Sequence, residues 1–314
     1  MSFLTIGLPT YDDFDGVYFT VQALRLYQDL DDVELLVVDN FGCDTTRHFI
    51  AGLPDVRYEG FTKPHGTAVA KNHVFSQATG DIVLCIDSHV LLAPHAIARF
   101  KAYCRAKRLE RDLLQGPLWL DDLHATGVAT HLSTTWSDGM QGQWATDQRG
   151  IRANAPPFEI LSQGMGLFAH RRDTWPGFHP LFRGFGGEEG YLQEKVRQQG
   201  GQVLCLPFLR WAHRFQRPRG APYSVRTWDK CRNALIGHIE LGLDLSAVLD
   251  HFATLMPFEV LEQVVSSVQH DLQVDEIPNL SSLLSQIRAH QREMLTTETS
   301  AGADQKVDEP PPRG

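Results

Sequence analysis

Asp81-Ile82-Val83-Leu84-Cys85-Ile86-Asp87-Ser88-His89 is an apolar run that ends on three polar residues. A short continuous apolar stretch, entered from Gly80, reads as a strand buried on both faces, as in a parallel sheet. The polar tip then lies at the carboxyl end of the strand, where open α/β sheets take up their ligands.

Two runs upstream repeat the pattern. Residues 3–8 form an apolar strand that leads into Pro9-Thr10-Tyr11, and residues 33–38 form one that leads into Asp39-Asn40. Helical spacing lies between and after them. Val17, Val21, Leu24 and Tyr27 share one face, residues 67–78 read as a helix stopped at Gly80, and residues 94–107 read as a helix begun at a proline. Strands alternating with helices predict right-handed crossovers and a mostly parallel sheet flanked by helices, a Rossmann-like α/β fold. The three polar tips should share one crevice.

The rest of the chain is less regular. Residues 114–120, 158–169 and 202–207 read as strands, with Gly164 and Gly166 allowing close backbone approach, and residues 134–152 read as loop. Gly186-Gly187-Glu188-Glu189 precedes a helix that runs to about residue 199 and stops at Gly200-Gly201. Beyond Trp228 the pattern is helical through residues 236–241, 245–255, 258–270 and 280–294. From Thr296 the chain is polar and is expected to be disordered.

The expected domains are 1–228, divided into halves at 1–110 and 111–228. A helical C-terminal extension (229–295) and a tail (296–314) complete the chain.

The chain has 314 residues and a net charge of -9, from 29 basic and 38 acidic side chains. An acidic surface is a poor match to a nucleic-acid backbone, which weighs against DNA or RNA as partner. The five cysteines are odd in number and show no C-x-x-C spacing, so free thiols in a reducing compartment are expected. No stretch reads as a signal peptide or a membrane span, so no membrane insertion and a cytoplasmic location are expected.

Three features carry chemistry. Asp87 and His89, two residues apart after a strand, offer an oxygen and an imidazole that suit Mn2+, or Mg2+ through the carboxylate. Read alone, Asp87 would only cap the next turn and His89 would lie on the surface. His213, in Arg210-Trp211-Ala212-His213-Arg214, comes after a strand; among positive charges an imidazole stays neutral, which favours metal ligation over packing beside Trp211. Glu188 and Glu189 stand at a helix start. There they either favour the helix dipole or supply a general base for an acceptor hydroxyl. Arg214, Arg217, Arg219 and Arg226 lie along residues 214–227, a loop that reads either as a solvated basic segment or as a cover over a diphosphate.

These segments occur in order with Gly66-Thr67-Ala68-Val69-Ala70-Lys71-Asn72 between them, and together residues 3–233 resemble the GT-A glycosyltransferases of family 2. The Asp-Ser-His and Phe-Gly-Gly-Glu-Glu segments look most like polypeptide N-acetylgalactosaminyltransferases and chondroitin-polymerase-type enzymes. The resemblance implies a metal site of Asp87, His89 and His213. It implies Asp39 on the uracil of a UDP-sugar, and Pro9, Thr10 and Tyr11 against base and ribose. Ser88 falls near the ribose, and Lys71 with Asn72 faces the diphosphate. Arg214 and Arg219 would add charge there. Glu188 and Glu189 match the acid pair of inverting enzymes, with the second as base. The polypeptide transferases have Asn at that second place and retain configuration, so Glu189 favours inversion.

The expected activity is a metal-dependent transfer of a hexosyl or N-acetylhexosaminyl group from a UDP-sugar to a protein or glycan hydroxyl. Competing readings are a nucleotidyltransferase, a nucleotide-sugar hydrolase or a non-catalytic binding module on a similar frame, and a hydroxylated DNA base as acceptor.

Overall fold

The computed structural model describes residues 2–63, 65–119, 127–215 and 220–303, with side chains described to Glu293. In chain order the elements are β1 (Leu4–Thr10), α1 (Phe14–Tyr27), β2 (Val33–Asp39), α2 (Asp44–Ala51), β3 (Val56–Gly60), α3 (Thr67–Gln77), β4 (Ile82–Ile86), β5 (Val90–Leu92), α4 (Ala96–Ala106), β6 (Leu113–Gln115) and β7 (Leu118–Trp119). Four short strands come next: β8 (His131–Leu132), β9 (Trp136–Ser137), β10 (Met140–Gln141) and β11 (Trp144–Ala145). Then come β12 (Phe158–Glu159), β13 (Leu167–Arg171), α5 (Tyr191–Gln198), β14 (Val203–Cys205), β15 (Trp211–His213), α6 (Thr227–Leu241), α7 (Ser246–Ala253), α8 (Phe258–Leu272) and α9 (Leu280–Ala303).

Eight strands form the central sheet in the order β12-β14-β6-β13-β4-β1-β2-β3. β1 runs parallel to both neighbours, with Thr10 opposite Asp39 and Gly7 opposite Cys85. β13 is antiparallel to β4. The sheet is mostly parallel and helices flank it, as the alternation of strands and helices predicts.

Both faces are buried. Leu35, Val37, Ile82, Leu84 and Ile86 pack under α1 and α4, while the alternate residues Leu36, Val38, Val83 and Cys85 pack toward α3. This is why the strands read as unbroken apolar runs. The α3 face is continuous with side chains of the last helices, such as Leu235, Val248, Leu261 and Ile287. α3 lies so close to β1 that a Cβ on Gly7 would stand 2.1 Å from Val74 Cγ1.

A small second sheet sets the site's geometry. β15 pairs antiparallel with β5, His213 opposite Val90, and parallel with β7. It carries a residue from the last third of the chain to the tip of β4.

Several expected boundaries shift. α2 and β3 have no counterpart among the expected elements. α2 is short and charged, and β3 is a half-exposed edge strand without an apolar run. The single strand expected at 158–169 is two strands, β12 and β13, on different neighbours. The 134–152 segment contains a hairpin of β9 and β10. α9 continues past Thr296 to Ala303. Residues 304–314 lie outside the described residues.

Candidate active site

A cavity of about 460 Å³ opens at the carboxyl ends of β1 and β4, within the roughly 300–1,000 Å³ usual for small-molecule sites. Pro9, Thr10, Tyr11, Lys71, Ser88 and Glu189 all line it, together with Asp87, His89 and His213.

At one end Asp87, His89 and His213 bring one ligand atom each to within 4.8 Å of one another. The two imidazole Nε2 atoms face each other at 3.1 Å, and His213 Nε2 lies 3.5 Å from Asp87 Oδ2. Bonds of about 2.1 Å from one cation to two nitrogens at a right angle would set them about 3.0 Å apart. The donor set, one carboxylate and two imidazoles, fits Mn2+. This is a candidate metal site. Asp87 is pinned because its backbone N–H donates to Gly166 O at 2.9 Å. A Cβ on Gly166 would sit 3.2 Å from Asp87 Oδ2 and 3.0 Å from the Trp211 ring, which explains that glycine. Burial works to raise the Asp87 pKa. The hydrogen bond from His213 and the charges of Lys71, His89 and His213 outweigh it and hold the carboxyl well below the usual range.

Lys71 projects from α3 and is 6% exposed. Burial would lower its pKa, but the charges of Glu188, Asp87 and Glu189 prevail and hold the ammonium well above its ordinary value. It is thus a fixed positive charge among acids.

The two adjacent glutamates differ. Glu188 is 1% exposed and accepts a hydrogen bond from the Thr67 hydroxyl, behind the cavity wall. Glu189 lines the cavity, and its Oε2 has no hydrogen-bond partner among the described residues. Burial, and then the charge of Glu188, push its carboxyl up to about 7, against the pull of Lys71. Gly186 and Gly187 have φ of +93° and +86°, and a Cβ on Gly187 would stand 2.6 Å from Asn233 Cβ on α6. Their use is therefore this turn and the close approach to α6. Asn233 locks the loop, its amide donating to Arg183 O and Gly186 O at 2.8 Å each.

Besides Glu188, three expected residues among those described, Asp39, Asn72 and Arg214, do not line the cavity. Asp39 is 0% exposed: Oδ1 accepts from the N–H of Phe41 and Gly42 at 2.9 Å each, and Oδ2 from Cys43 N–H at 2.8 Å and Tyr58 Oη at 2.9 Å. Four donors already occupy its two oxygens, and it does not line the cavity. Its neighbour Asn40 lines the cavity instead. Asn72 sits a helical step from Lys71 and turns away, accepting from Trp175 Nε1 and Phe178 N–H at 3.1 and 2.9 Å. Arg214 points its guanidinium at Asp13 Oδ1, 3.3 Å away, and lines an adjoining hollow with Phe19 and Leu91 that shares His89 and His213 with the cavity. Arg219, with Arg217, lies outside the described residues.

The sequence reading also missed residues. Asp13 lines the cavity, and its Oδ2 accepts from His89 Nδ1 at 2.7 Å. Its one sequence signal is its place just after the β1 tip. Gln115 and Gln193, each 0% exposed, donate to the carbonyls of Gly164, Leu167 and Gln163 from below, and the buried Gln163 amide donates to Gly116 O and Thr130 O. Gln141, from the segment read as loop, lines the cavity and the small hollow beside Glu189.

The model for glycosyl transferase family 2 matches residues 5–110. No curated protein matches the chain in sequence. Among solved structures, GalNAc-T7 with UDP, GalNAc and Mn2+ is similar over 76% of this chain, with 17% identity and a TM-score of 0.59; the match spans only 48% of that protein. S. aureus TarS 1–349 is similar over 93% of this chain and 92% of its own, with 13% identity and a TM-score of 0.51. The mannosyltransferase PcManGT from Pyrobaculum calidifontis, in complex with GDP-Man and Mn2+, is similar over 96% and 84%, with 16% identity and a TM-score of 0.51. The fold is that of the GT-A glycosyltransferases. No helix among the described residues is long and apolar enough to cross a membrane.

Proposed function

We propose that the chain transfers a hexosyl or N-acetylhexosaminyl group from a UDP-sugar to a hydroxyl of a protein or glycan, with inversion at the anomeric carbon. The observation that carries this reading is one cavity with the Asp87, His89 and His213 cluster at one end and the Glu189 carboxylate in its wall, with the Lys71 ammonium lining it too.

In this reading Asp87, His89 and His213 hold Mn2+, or Mg2+. A bound cation neutralises charge gathering on the departing diphosphate. Lys71 adds a second positive charge there. Pro9, Thr10 and Tyr11 receive the base and ribose, with Ser88 near the ribose. Glu189 takes the proton from the acceptor hydroxyl as its oxygen bonds to the anomeric carbon. The bond to the diphosphate breaks, and the nucleotide leaves with the electron pair. Glu188 keeps Thr67 and the carboxylate loop in register. The uridine preference rests on the likeness to GalNAc-T7, whose structure holds UDP. GDP-Man in PcManGT names the competing donor class. Five unpaired thiols support a reducing, cytoplasmic setting.

The test is a screen of UDP- and GDP-sugars with Mn2+, reading nucleoside diphosphate release and then the anomer formed. UDP-sugars should turn over. Glu189→Gln should keep nucleotide binding and lose about 10²–10⁴-fold in transfer. Undiminished transfer in that variant removes Glu189 as base, and a product of retained configuration removes the inverting route.

A further inference from the structure

We propose that Asp13 is a positioning residue for the cation centre: its carboxylate fixes His89 in the tautomer and orientation that the centre requires. This rests on the reading of Asp87, His89 and His213 as cation ligands.

The first observation is the bond itself. Asp13 Oδ2 and His89 Nδ1 are 2.7 Å apart, and both side chains are only 8% exposed. An ionised carboxylate only accepts, so the proton sits on Nδ1 and Nε2 keeps its lone pair. That Nε2 is the atom turned toward His213. Carboxylate-held imidazoles are the usual way a metal-binding histidine is kept in place.

A second observation comes from α1. Asp13 stands at the N-cap of this helix, yet its side chain makes no capping hydrogen bond. An aspartate there ordinarily stabilises its helix by accepting from a first-turn N–H. Here the carboxylate is turned to the imidazole, and the helix forgoes that contribution.

A third comes from Gly16, in the first turn of α1. A Cβ at this position would stand 2.2 Å from Asp13 Oδ2 and 2.8 Å from the Ser88 carbonyl. A glycine in a helix is less favourable than alanine. At this position it leaves the carboxylate its space. Around it, Ser88 Oγ donates to Asp13 Oδ2 at 3.0 Å and Arg214 Nη2 to Oδ1 at 3.3 Å. The Thr20 hydroxyl reaches the Ser88 and Val90 carbonyls at 2.9 and 3.0 Å. The first turns of α1 thus form a bracket around the backbone that carries His89.

The test is binding of Mn2+ alone to the full chain, read from the electron paramagnetic resonance signal of free ion. ¹⁵N chemical shifts of the His89 ring, which report the tautomer, are recorded without metal. Asp13→Ala should weaken Mn2+ binding about 10- to 100-fold and move the His89 shifts away from the Nδ1–H form. Asp13→Asn keeps one acceptor oxygen and should lose less. Gly16→Ala should reproduce the loss with Asp13 still present, which guards against a folding defect in the first variant. Mn2+ affinity within twofold of the parent in Asp13→Ala and Gly16→Ala overturns the proposal. So does a loss of affinity with unchanged His89 shifts. Asp87→Ala separates the two levels. If it abolishes Mn2+ binding while Asp13→Ala stays within twofold of the parent, only the positioning role falls. If it leaves binding intact, the cation reading itself falls.

Discussion

β2 and β4 flank β1, and the chain leaves each through an aspartate, yet the two acids end in opposite situations. Asp39 is 0% exposed and accepts four hydrogen bonds. The Asp87 side chain is 28% exposed and faces the cavity and His213. The approach is the same in both: an apolar run, parallel pairing to β1, a polar tip. The exits differ. After β2 the chain folds back through Phe41, Gly42 and Cys43, and Tyr58 of β3 closes the circle. After β4 the chain turns into β5, where Thr20 and Asp13 hold it from below and the Asp87 oxygens point into the cavity. A strand-tip acid is available as a ligand only where the next few residues leave its lone pairs unfilled.

Exchanging the two acids for alanine tests this contrast most sharply. Asp87→Ala should cut transfer by about 10³-fold or more, since several kcal/mol of charge stabilisation would go. Its melting temperature should change little. Asp39→Ala should do the reverse, with metal affinity kept and stability lowered by about 3 kcal/mol, because three backbone N–H groups lose their acceptor. Denaturant melts and Mn2+ titrations on both variants check the pair, and equal loss of metal binding would erase the distinction.

Next in size is a pH effect at the third acid. Glu189 is pushed up to about 7, so below that pH it is mostly protonated and cannot accept a proton. The rate should rise with pH, about tenfold per unit below 7, and level off above it. The linked stability runs the other way. A carboxyl whose folded pKa is raised favours the folded state most at pH below its unfolded value near 4.5, and that contribution fades as pH climbs through 7. A pH profile of kcat/KM that is flat from 5.5 to 8 would contradict the assignment.

The smallest effect is Tyr58→Phe. It removes one of the four donors to Asp39 and should lower stability by about 1 kcal/mol, leaving transfer unchanged. A clear loss of nucleotide affinity instead would mean that Asp39 does reach the base.

The contrast also shows where sequence reading succeeds. The strands and helices of the first third are legible because both faces of β1, β2 and β4 are buried, so apolar runs mark them. Their tips are legible for the same reason, and so are Asp87 and His89. His213 is legible as a histidine after a strand, but its place beside His89 depends on β15 pairing with β5, a contact across more than 120 residues. Residue types alone do not separate Asp39 from Asp87: three donors to Asp39 are backbone N–H groups of the next turn, which any side chains could supply, and the fourth is Tyr58, 19 positions away. Asp13 is hidden in the same manner, 76 positions from its imidazole. β12, β13 and β14 are short and are ordered by non-local pairing, which periodicity does not reveal.

The contact between Gly187 and Asn233 reaches across position 228, where the transferase portion reads as ending. The loop bearing Glu189 therefore leans on a helix outside that portion. A hybrid enzyme that borrowed the loop from this chain would have to import α6 with it. A shortened protein cut at Trp228 would keep Asp87, His89 and His213 while losing the helix against which the Glu189 loop packs, and on the proposed reading such a fragment would be expected to grip metal without turning over sugar.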